Sequence, residues 1–366
     1  MQLRPPLLAR RSLKGAGSKV RSKWAEDRKP RTPLWTRRFA SYTAPLNEMK
    51  FALHDVHQFE AHYDTLKNVA EKCDRDTIDM VVEASAQMCE QDLSPLLEDA
   101  DRVGARWVDE LHIKTAPGTK EAYDKYCESG WQGLSFPPEY GGQGLPMSLA
   151  LVQAEMMAAA NWTFLMFPGL SKGAINTLMM HGSEALKERY LPPLISGEMT
   201  GTMCLTEPGC GSDLGQVVTK AERVSNLGVE GGGEAAQEYR ISGTKIFISC
   251  GDHDLTENIV HCVLARLPDA PPAAAAPKGT KGISLFLVPK RLDDGSLNGV
   301  TTSRIEHKVR SVRRWKSEND TLNIHINLFF VLFEFGPSLF FDAFFFASSP
   351  NYTFPLKINV LTSTCI

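Results

Sequence analysis

The sequence has no C-x-x-C pair, no secretory signal and no recognisable metal-ligand spacing. Its eight cysteines are scattered over the 366 residues. In a chain of this size without a secretory signal we expect them to be reduced thiols. His253 and His261 lie close to Cys250 and Cys262, but these spacings match no zinc pattern. We therefore interpret them as core or surface residues and predict no metal site.

Acidic residues are scarce at the start of the chain and abundant afterwards. The first forty residues carry 12 Lys and Arg against only Glu26 and Asp27, which leaves 28 basic and 41 acidic side chains in the rest. The excess of acidic residues after residue 40 argues against a nucleic-acid-binding protein, which needs clustered Lys and Arg. The leader lacks a long apolar segment, and Arg37 to Ser41 resembles a mitochondrial processing site. We predict residues 1–40 to be a targeting leader to the mitochondrial matrix; the alternative is a disordered basic tail.

The periodicity of apolar residues changes near residue 199. From 41 to 198 apolar residues recur at helical spacing, with helices predicted from Pro45 to about His112 and at four further segments: Lys120–Cys127, Ser148–Ala160, Ala174–Met180 and Ser183–Leu191. From 199 to 308 short β-rich runs alternate with Gly- and Pro-rich loops, which is typical of strands. This order predicts an α+β fold: an N-terminal all-α domain, then an antiparallel β-domain.

The last segment, residues 309–366, has a different character. It begins with a basic stretch and continues with a Phe-rich run from Leu328 to Phe346. Glu334, Pro337 and Asp342 interrupt that run before it reaches the about 20 apolar residues that a bilayer span needs. We predict no stable membrane span. We interpret the segment as an aberrant tail, from intron read-through or a frameshift.

One loop concentrates residues suited to binding a ligand. After the apolar end of a strand, residues 206–213 read T-E-P-G-C-G-S-D. Pro208 fixes its own φ, and Gly209 and Gly211 permit positive φ, so the loop can turn tightly and expose consecutive N–H groups. Thr206 and Ser212 add hydroxyl donors. By composition alone an ordinary surface turn is the favoured interpretation.

The exact string resembles the signature of the acyl-CoA dehydrogenases, flavoenzymes that oxidise acyl-CoA thioesters. A second string, I-S-G-T-K-I-F-I-S-C-G at 241–251, is similar to the family's G-x-K-x-[WF]-I-[ST]-N-G pattern. The loop P-P-E-Y-G-G-Q-G at 137–144 is also similar to a family string. Residues 47–51 resemble the subgroup typified by 3-methylmercaptopropionyl-CoA dehydrogenases, although the same pattern fits a helix that merely packs.

The resemblance implies FAD as cofactor and an acyl-CoA as substrate. It implies that the backbone of Leu205 and the hydroxyl of Thr206 face the flavin, that Phe247 stacks beside it and that Ser249 reaches towards N5. It places Gly211 and Ser212 by the FAD pyrophosphate, with Ser212 also by the CoA chain. The complete set of implied cofactor residues is Met203, Leu205, Thr206, Gly211, Ser212, Phe247, Ile248 and Ser249.

The catalytic base is not identifiable. In the family a glutamate from a C-terminal four-helix bundle removes the α proton, and no pattern of that bundle follows Lys308. We predict Glu207 to be structural, accepting hydrogen bonds from loop N–H groups. The resemblance further implies electron-transfer flavoprotein as the acceptor and a homo-oligomer, the latter doubtful without the bundle. Two alternatives remain: a catalytically inactive isoform that acts through partner binding, and an acyl-CoA oxidase.

Overall fold

A computed structural model describes residues 42–66, 69, 73–223, 239–267 and 279–306, and the backbone of 321–327 and 332–335. The predicted targeting leader and most of the predicted aberrant tail lie outside this part of the chain. The prediction of a processing site after Arg38 therefore stays a prediction.

Helices dominate the first half of the described chain. They are α1 Leu46–Phe51, α2 Phe59–Tyr63, α3 Arg75–Met88, α4 Leu97–Val103, α5 Thr119–Glu128, α6 Met147–His181 and α7 Glu184–Ser196. Helix α3 shows why: Asp74 caps it by accepting a 2.9 Å hydrogen bond from Thr77 N. Its residues Ile78, Val81 and Val82 then lie on one buried face.

Segment α6 consists of two helices that meet at a kink, so the predicted end of the first helix at Ala160 is confirmed, but the second helix begins directly after Asn161 and not at Ala174. The chain stays helical from Met147 to His181, with non-helical backbone only at Asn161 (φ −159°, ψ 89°). The Asn161 side chain accepts from Phe164 N (3.0 Å) and donates to the Leu93 carbonyl (3.1 Å). The buried amide therefore caps the second helix at the kink, which explains why that helix begins at residue 162.

Helix α7 begins as predicted and ends later. Ser183 caps it through Leu186 N at 3.4 Å, but the helix continues through Pro192 and Pro193 to Ser196. The buried side chains of Leu191, Leu194 and Ile195 pack in the core, which outweighs the donors that the two prolines lack. Gly197, at φ 84°, ends the helix in the left-handed conformation.

The second half of the described chain forms an eight-stranded sheet, and a separate two-stranded hairpin lies in the first half. The sheet contains β3 Met199–Cys204, β4 Lys220–Arg223, β5 Tyr239–Ser249, β6 Asn258–Arg266, β7 Ile283–Pro289, β8 Val300–Glu306, β9 Thr321–Asn327 and β10 Leu332–Phe335. The strand order is β10-β7-β6-β4-β5-β9-β8, with β3 beside β6. The fold class is confirmed. The sheet is antiparallel except that β3 and one residue pair of β4 run parallel to β6.

Two details differ from the expected layout. The hairpin of β1 Arg106–Asp109 and β2 His112–Lys114 interrupts the segment predicted to be helical up to His112. It is held to β8 by a 2.8 Å bond from Thr302 N to the Glu110 carbonyl, a pairing that helical periodicity does not reveal. Strands β9 and β10 come from the segment interpreted as an aberrant tail, and β9 pairs with both β5 and β8.

The close packing of α6 on β3 places the start of the T-E-P-G loop. Gly201 N donates to Ser171 Oγ at 3.0 Å, and a β-carbon added at Gly201 would lie 2.5 Å from the Ala174 β-carbon. One face of β6 and β7 packs against α6 and α7, and the opposite face forms a separate apolar core with β5. Strand β3 therefore delivers residues 205–212 to the end of a sheet fixed on both faces.

Candidate functional site

The T-E-P-G loop is a tight turn closed by two backbone hydrogen bonds. Glu207 N donates to the Cys210 carbonyl (2.9 Å), and Cys210 N donates back to the Glu207 carbonyl (3.0 Å). Neither Gly209 nor Gly211 adopts positive φ, so the expectation that the turn depends on it is wrong. The reciprocal bonds fix the turn instead, and a β-carbon at Gly209 would meet no atom within 4 Å.

The Glu207 carboxylate lies beneath this turn and is 3% exposed. It accepts from Val218 N (2.8 Å), Thr219 N (3.1 Å), Thr219 Oγ1 (2.5 Å) and Lys245 Nζ (2.7 Å). Burial alone would raise the pKa of Glu207, but these donors outweigh it and hold the pKa below its ordinary value. The prediction that Glu207 is structural is confirmed.

Sequence reasoning missed the partner of this carboxylate, Lys245. Its side chain is fully buried, and its ammonium also donates to the Leu205 carbonyl at 3.0 Å. The second family string contains this lysine, so the signal was present: an unpaired lysine is costly inside a β-domain and requires a buried anion.

A β-bulge in β5 turns Phe247 outward. Lys245 pairs with Ile324, and Ile248 pairs with Leu322. An advance of three residues along β5 therefore lies opposite an advance of two residues along β9. The extra residue shifts the alternation, and both Lys245 and Ile248 face the interior while Phe247 is 55% exposed. Phe247 has a φ of 58°, a left-handed conformation that is strained for an aromatic residue.

The two family strings meet directly in the fold. Ile246 N donates to the Thr206 carbonyl at 2.9 Å, which brings the outward Phe247 next to the start of the turn. Gly211 lies over the Thr206 side chain, 3.8 Å from its methyl group to a β-carbon built on Gly211. The structure thus brings Thr206, Gly211 and the 246–247 segment together.

The remaining predicted residues differ in accessibility. Met203 and Leu205 are half-buried against the apolar core, Ser212 is exposed and Ser249 is half-buried. Ile248 is buried in the β-domain core, so its side chain is not open to a ligand. No distance places Ser212 or Ser249 against Phe247, and the assignment of all eight as cofactor residues stays a prediction.

The donors on this surface fit a flavin dinucleotide. Within the described residues, the backbone N–H groups of Thr206, Gly211 and Ser212 and the hydroxyls of Thr206 and Ser212 have no hydrogen-bond acceptor. Clustered N–H and O–H donors suit a pyrophosphate and the oxygen- and nitrogen-rich edge of an isoalloxazine ring. The exposed face of Phe247 suits a planar aromatic ring.

Arg266 fixes the far end of the loop and was also missed. Its guanidinium donates to the carbonyls of Val217 (2.5 Å), Gly215 (2.5 Å) and Gly279 (3.1 Å). The chain leaving the turn is therefore held to β6, while Glu207 holds the same chain at 218–219. The sequence does not indicate whether Arg266 donates hydrogen bonds to backbone carbonyls or to a ligand.

His253 and His261 are buried in the β-domain and not at this surface. His253 Nε2 lies 3.0 Å from Thr200 Oγ1, and His261 Nδ1 lies 2.7 Å from Thr202 Oγ1. Their interpretation as core residues is confirmed. Among the described residues no group of three or more His, Cys, Asp or Glu could hold a metal ion, and the seven cysteines there are free thiols.

None of the helices in the described residues is both long and apolar enough to cross a membrane.

Comparison with known proteins agrees with the two sequence strings. The family model for the acyl-CoA dehydrogenase N-terminal domain matches residues 75–198. A 3-methylmercaptopropionyl-CoA dehydrogenase of Ruegeria pomeroyi is 38% identical over 274 residues, 74% of this chain and 43% of that protein. A butyryl-CoA dehydrogenase of Syntrophomonas wolfei is 38% identical over 241 residues, 64% of this chain and 37% of that protein.

Solved structures share the fold. An acyl-CoA dehydrogenase from Bacillus anthracis in complex with FAD superposes with a TM-score of 0.52 at 23% identity, over 73% of this chain and 38% of that one. A structure described as the electron transferring flavoprotein of Acidaminococcus fermentans gives 0.53 at 23% identity, over 74% of this chain and 60% of that one.

The chain spans about two fifths of the length of the two curated relatives it matches. Within that span, the matched domain, the order of helices and sheet, and the two strings that meet at the turn all agree. The chain carries an acyl-CoA dehydrogenase N-terminal domain at residues 75–198 and is similar to a member of that family over 274 residues.

Proposed function

We propose that this chain binds FAD at the T-E-P-G turn and takes part in the α,β-dehydrogenation of an acyl-CoA thioester to the enoyl-CoA. The observation that carries the proposal is the meeting of N–H and O–H donors, which have no acceptor among the described residues, with an outward aromatic ring at one end of the sheet. The two parts come from strings that begin 35 residues apart in sequence, and the Ile246–Thr206 hydrogen bond joins them.

The donors would divide between two parts of the cofactor. The Thr206 hydroxyl and the backbone near Leu205 suit the flavin ring edge, and Gly211 and Ser212 suit the pyrophosphate. Phe247 would pack against the ring, with Met203, Ile248 and Ser249 completing the set. Bound FAD supplies a hydride acceptor, and the protein residues orient it, exclude water from one face and donate to negative charge gathering on the ring.

Glu207 is not proposed as the base that removes the α proton. Four donors already surround its carboxylate, and they hold its pKa below the ordinary value, so it is a poor proton acceptor. We assign the role of catalytic base to none of the described residues.

The substrate we propose is a short acyl-CoA. Support comes from relatives whose names give butyryl-CoA and 3-methylmercaptopropionyl-CoA as substrates. We propose electron-transfer flavoprotein as the electron acceptor, by family resemblance, and the mitochondrial matrix as the location, from the basic leader. Import of the full chain into isolated mitochondria, followed by N-terminal sequencing of the product, tests the location; an unprocessed chain outside the organelle contradicts it.

Titration of the purified full chain with FAD tests the binding half of the proposal. We expect saturable binding, measured by the change in flavin fluorescence, and weaker binding in the variant Thr206→Val, which keeps the shape and removes the hydroxyl. Val218→Thr is the matched control, since Val218 is an exposed residue of the same loop outside the proposed donor set. Absence of saturable binding by the parent chain contradicts the proposal.

A further inference from the structure

The buried pair of Glu207 and Lys245 lies directly beneath the candidate flavin surface and takes no part in the proposed chemistry. The Glu207 side chain is 2% exposed and that of Lys245 is 0% exposed, and their charged atoms are 2.7 Å apart. A buried ion pair is weak evidence for stability, because desolvation of both charges consumes much of their attraction. An apolar pair of similar volume would hold a sheet together equally well, so the geometry of this pair needs its own explanation.

The pair connects three separate segments of chain at one point. Lys245 extends from β5 to the Leu205 carbonyl (3.0 Å) and to Glu207, and Glu207 in turn binds the N–H groups of Val218 and Thr219. The approach is close enough to require glycine opposite: a β-carbon at Gly243 would lie 2.2 Å from Thr219 Oγ1. Hydrogen bonds to these two charged groups thus join residues 205–207 at the start of the turn, residues 218–219 that follow it, and strand β5.

The same contacts determine which way the backbone faces. The Leu205 carbonyl is turned towards Lys245 Nζ, and the Thr206 carbonyl is turned towards Ile246 N. With both carbonyls directed into the sheet, the acceptors of this stretch are withdrawn from the ligand side, while the Thr206 N–H and hydroxyl have no acceptor among the described residues. Because carbonyl oxygens repel the oxygens of a flavin edge or a phosphate, this orientation decides whether the surface attracts or repels the ligand.

We propose that Glu207 and Lys245 are positioning residues for the ligand surface: the pair holds residues 205–207 with donors outward and carbonyls inward, and holds the bulge that presents Phe247. This inference rests on the proposed function for the identity of the ligand, but not for the orientation of the loop. It predicts that replacing both charges leaves the fold intact and disorders the loop.

The test compares the parent chain with the double variant Glu207→Gln/Lys245→Met. The glutamine keeps an acceptor for Thr219, and the methionine keeps most of the buried volume of the lysine, so we expect the thermal midpoint to remain near that of the parent. Lys245→Met alone leaves Glu207 buried without its cation and is expected to lower the midpoint clearly. The thermal midpoint of the single variant therefore measures the loss of stability when one charge is left unpaired. The double variant keeps the fold and shows how the pair affects the position of the loop.

Two readouts are measured on each full-length protein. Hydrogen exchange of peptides covering 203–214 and 244–250, without ligand, is expected to be about tenfold faster or more in the double variant. Titration with FAD is expected to show binding weakened by about tenfold or more. The matched control is Asp252→Asn/Lys290→Met, which removes another buried Lys–carboxylate pair of the same domain that binds Leu111 and not the turn. We expect it to change neither readout.

The outcomes separate this inference from the proposed function. Faster exchange and weaker FAD binding in the double variant support both. Faster exchange in a chain whose parent binds no FAD supports the positioning role and overturns the proposed ligand. Unchanged exchange in a folded double variant overturns the positioning role, whatever the parent binds, and so does an equal change in the Asp252/Lys290 control.

Discussion

At the residue scale, the site depends on one strained position. Phe247 combines a left-handed φ with an exposed ring, and both follow from the single extra residue between Lys245 and Ile248. Without the bulge, strict alternation would turn Phe247 into the core and Ile248 out of it. Strain of this kind persists where surrounding contacts fix it, here the Ile246–Thr206 bond and the Lys245 contacts.

Replacing Phe247 separates strain from function. Phe247→Gly removes the ring and relieves the positive φ, whereas Phe247→Ala removes the ring and keeps the β-carbon. We expect the glycine variant to be more stable than the alanine variant by about 0.5–1 kcal/mol in urea unfolding. Both are expected to bind FAD about tenfold more weakly or worse than the parent. An alanine variant as stable as the glycine variant would contradict the strain, and unchanged FAD binding would contradict the role of the ring.

At the element scale, the site depends on how closely α6 approaches β3. The Gly201 backbone lies against Ala174 and donates to Ser171, so the strand that delivers the turn is pressed against the helix. A side chain at this position has no space unless the two elements separate.

Gly201→Ala is therefore expected to lower the free energy of unfolding by about 1–3 kcal/mol, the cost of overpacking a core. Urea unfolding followed by circular dichroism measures it. The control is Gly209→Ala, at the tip of the turn, where a β-carbon meets no atom within 4 Å and φ is not positive. We expect Gly209→Ala to change stability by less than about 0.5 kcal/mol. Equal losses in the two variants would contradict the close packing described here.

The sequence predicted the elements better than the contacts between them. Apolar periodicity identified α3 and α5, because each buries one face, and runs of β-branched and apolar residues identified strands β4 to β7. It placed the end of the first half of α6 correctly before Asn161 but began the second half too late, at Ala174, and it ended α7 at prolines that core packing overrides. The loop was identified from its string, but its partners Lys245, Thr219 and Arg266 lie on other strands. Nothing in local sequence specifies that a buried lysine finds a given carboxylate.

At the scale of the whole molecule, acid stability depends on two histidines that the site does not use. Burial lowers the pKa of His253 and of His261 to about 3, from an ordinary value of 6.5. His261 Nε2 has no hydrogen-bond partner within the described residues, so its protonation would leave a buried charge unpaired. Between pH 6.5 and 3 the unfolded chain binds protons that the folded chain does not, so stability falls as the pH falls.

His261→Gln removes one of these two groups. Its free energy of unfolding is expected to depend less steeply on pH between 6.5 and 4.5, by up to about 1.4 kcal/mol per pH unit, and urea unfolding at several pH values measures the slope. Below 4.5 the low pKa of Glu207 adds a further loss that both proteins share. His57→Gln is the control, since it makes the same substitution at an exposed histidine away from the β-domain core. A slope in His261→Gln equal to that of the parent would contradict the buried neutral state of His261.

The similarity to the curated relatives covers about two fifths of their length, and the proposed activity of the whole chain therefore requires a direct measurement. The most direct one is the visible absorption spectrum of the purified full chain loaded with FAD, before and after anaerobic addition of butyryl-CoA or 3-methylmercaptopropionyl-CoA. The account predicts the spectrum of a bound flavin that bleaches with at least one of these thioesters, as the acyl chain is oxidised. A chain that holds no flavin, or holds it and never bleaches with any short acyl-CoA, contradicts the proposed dehydrogenation.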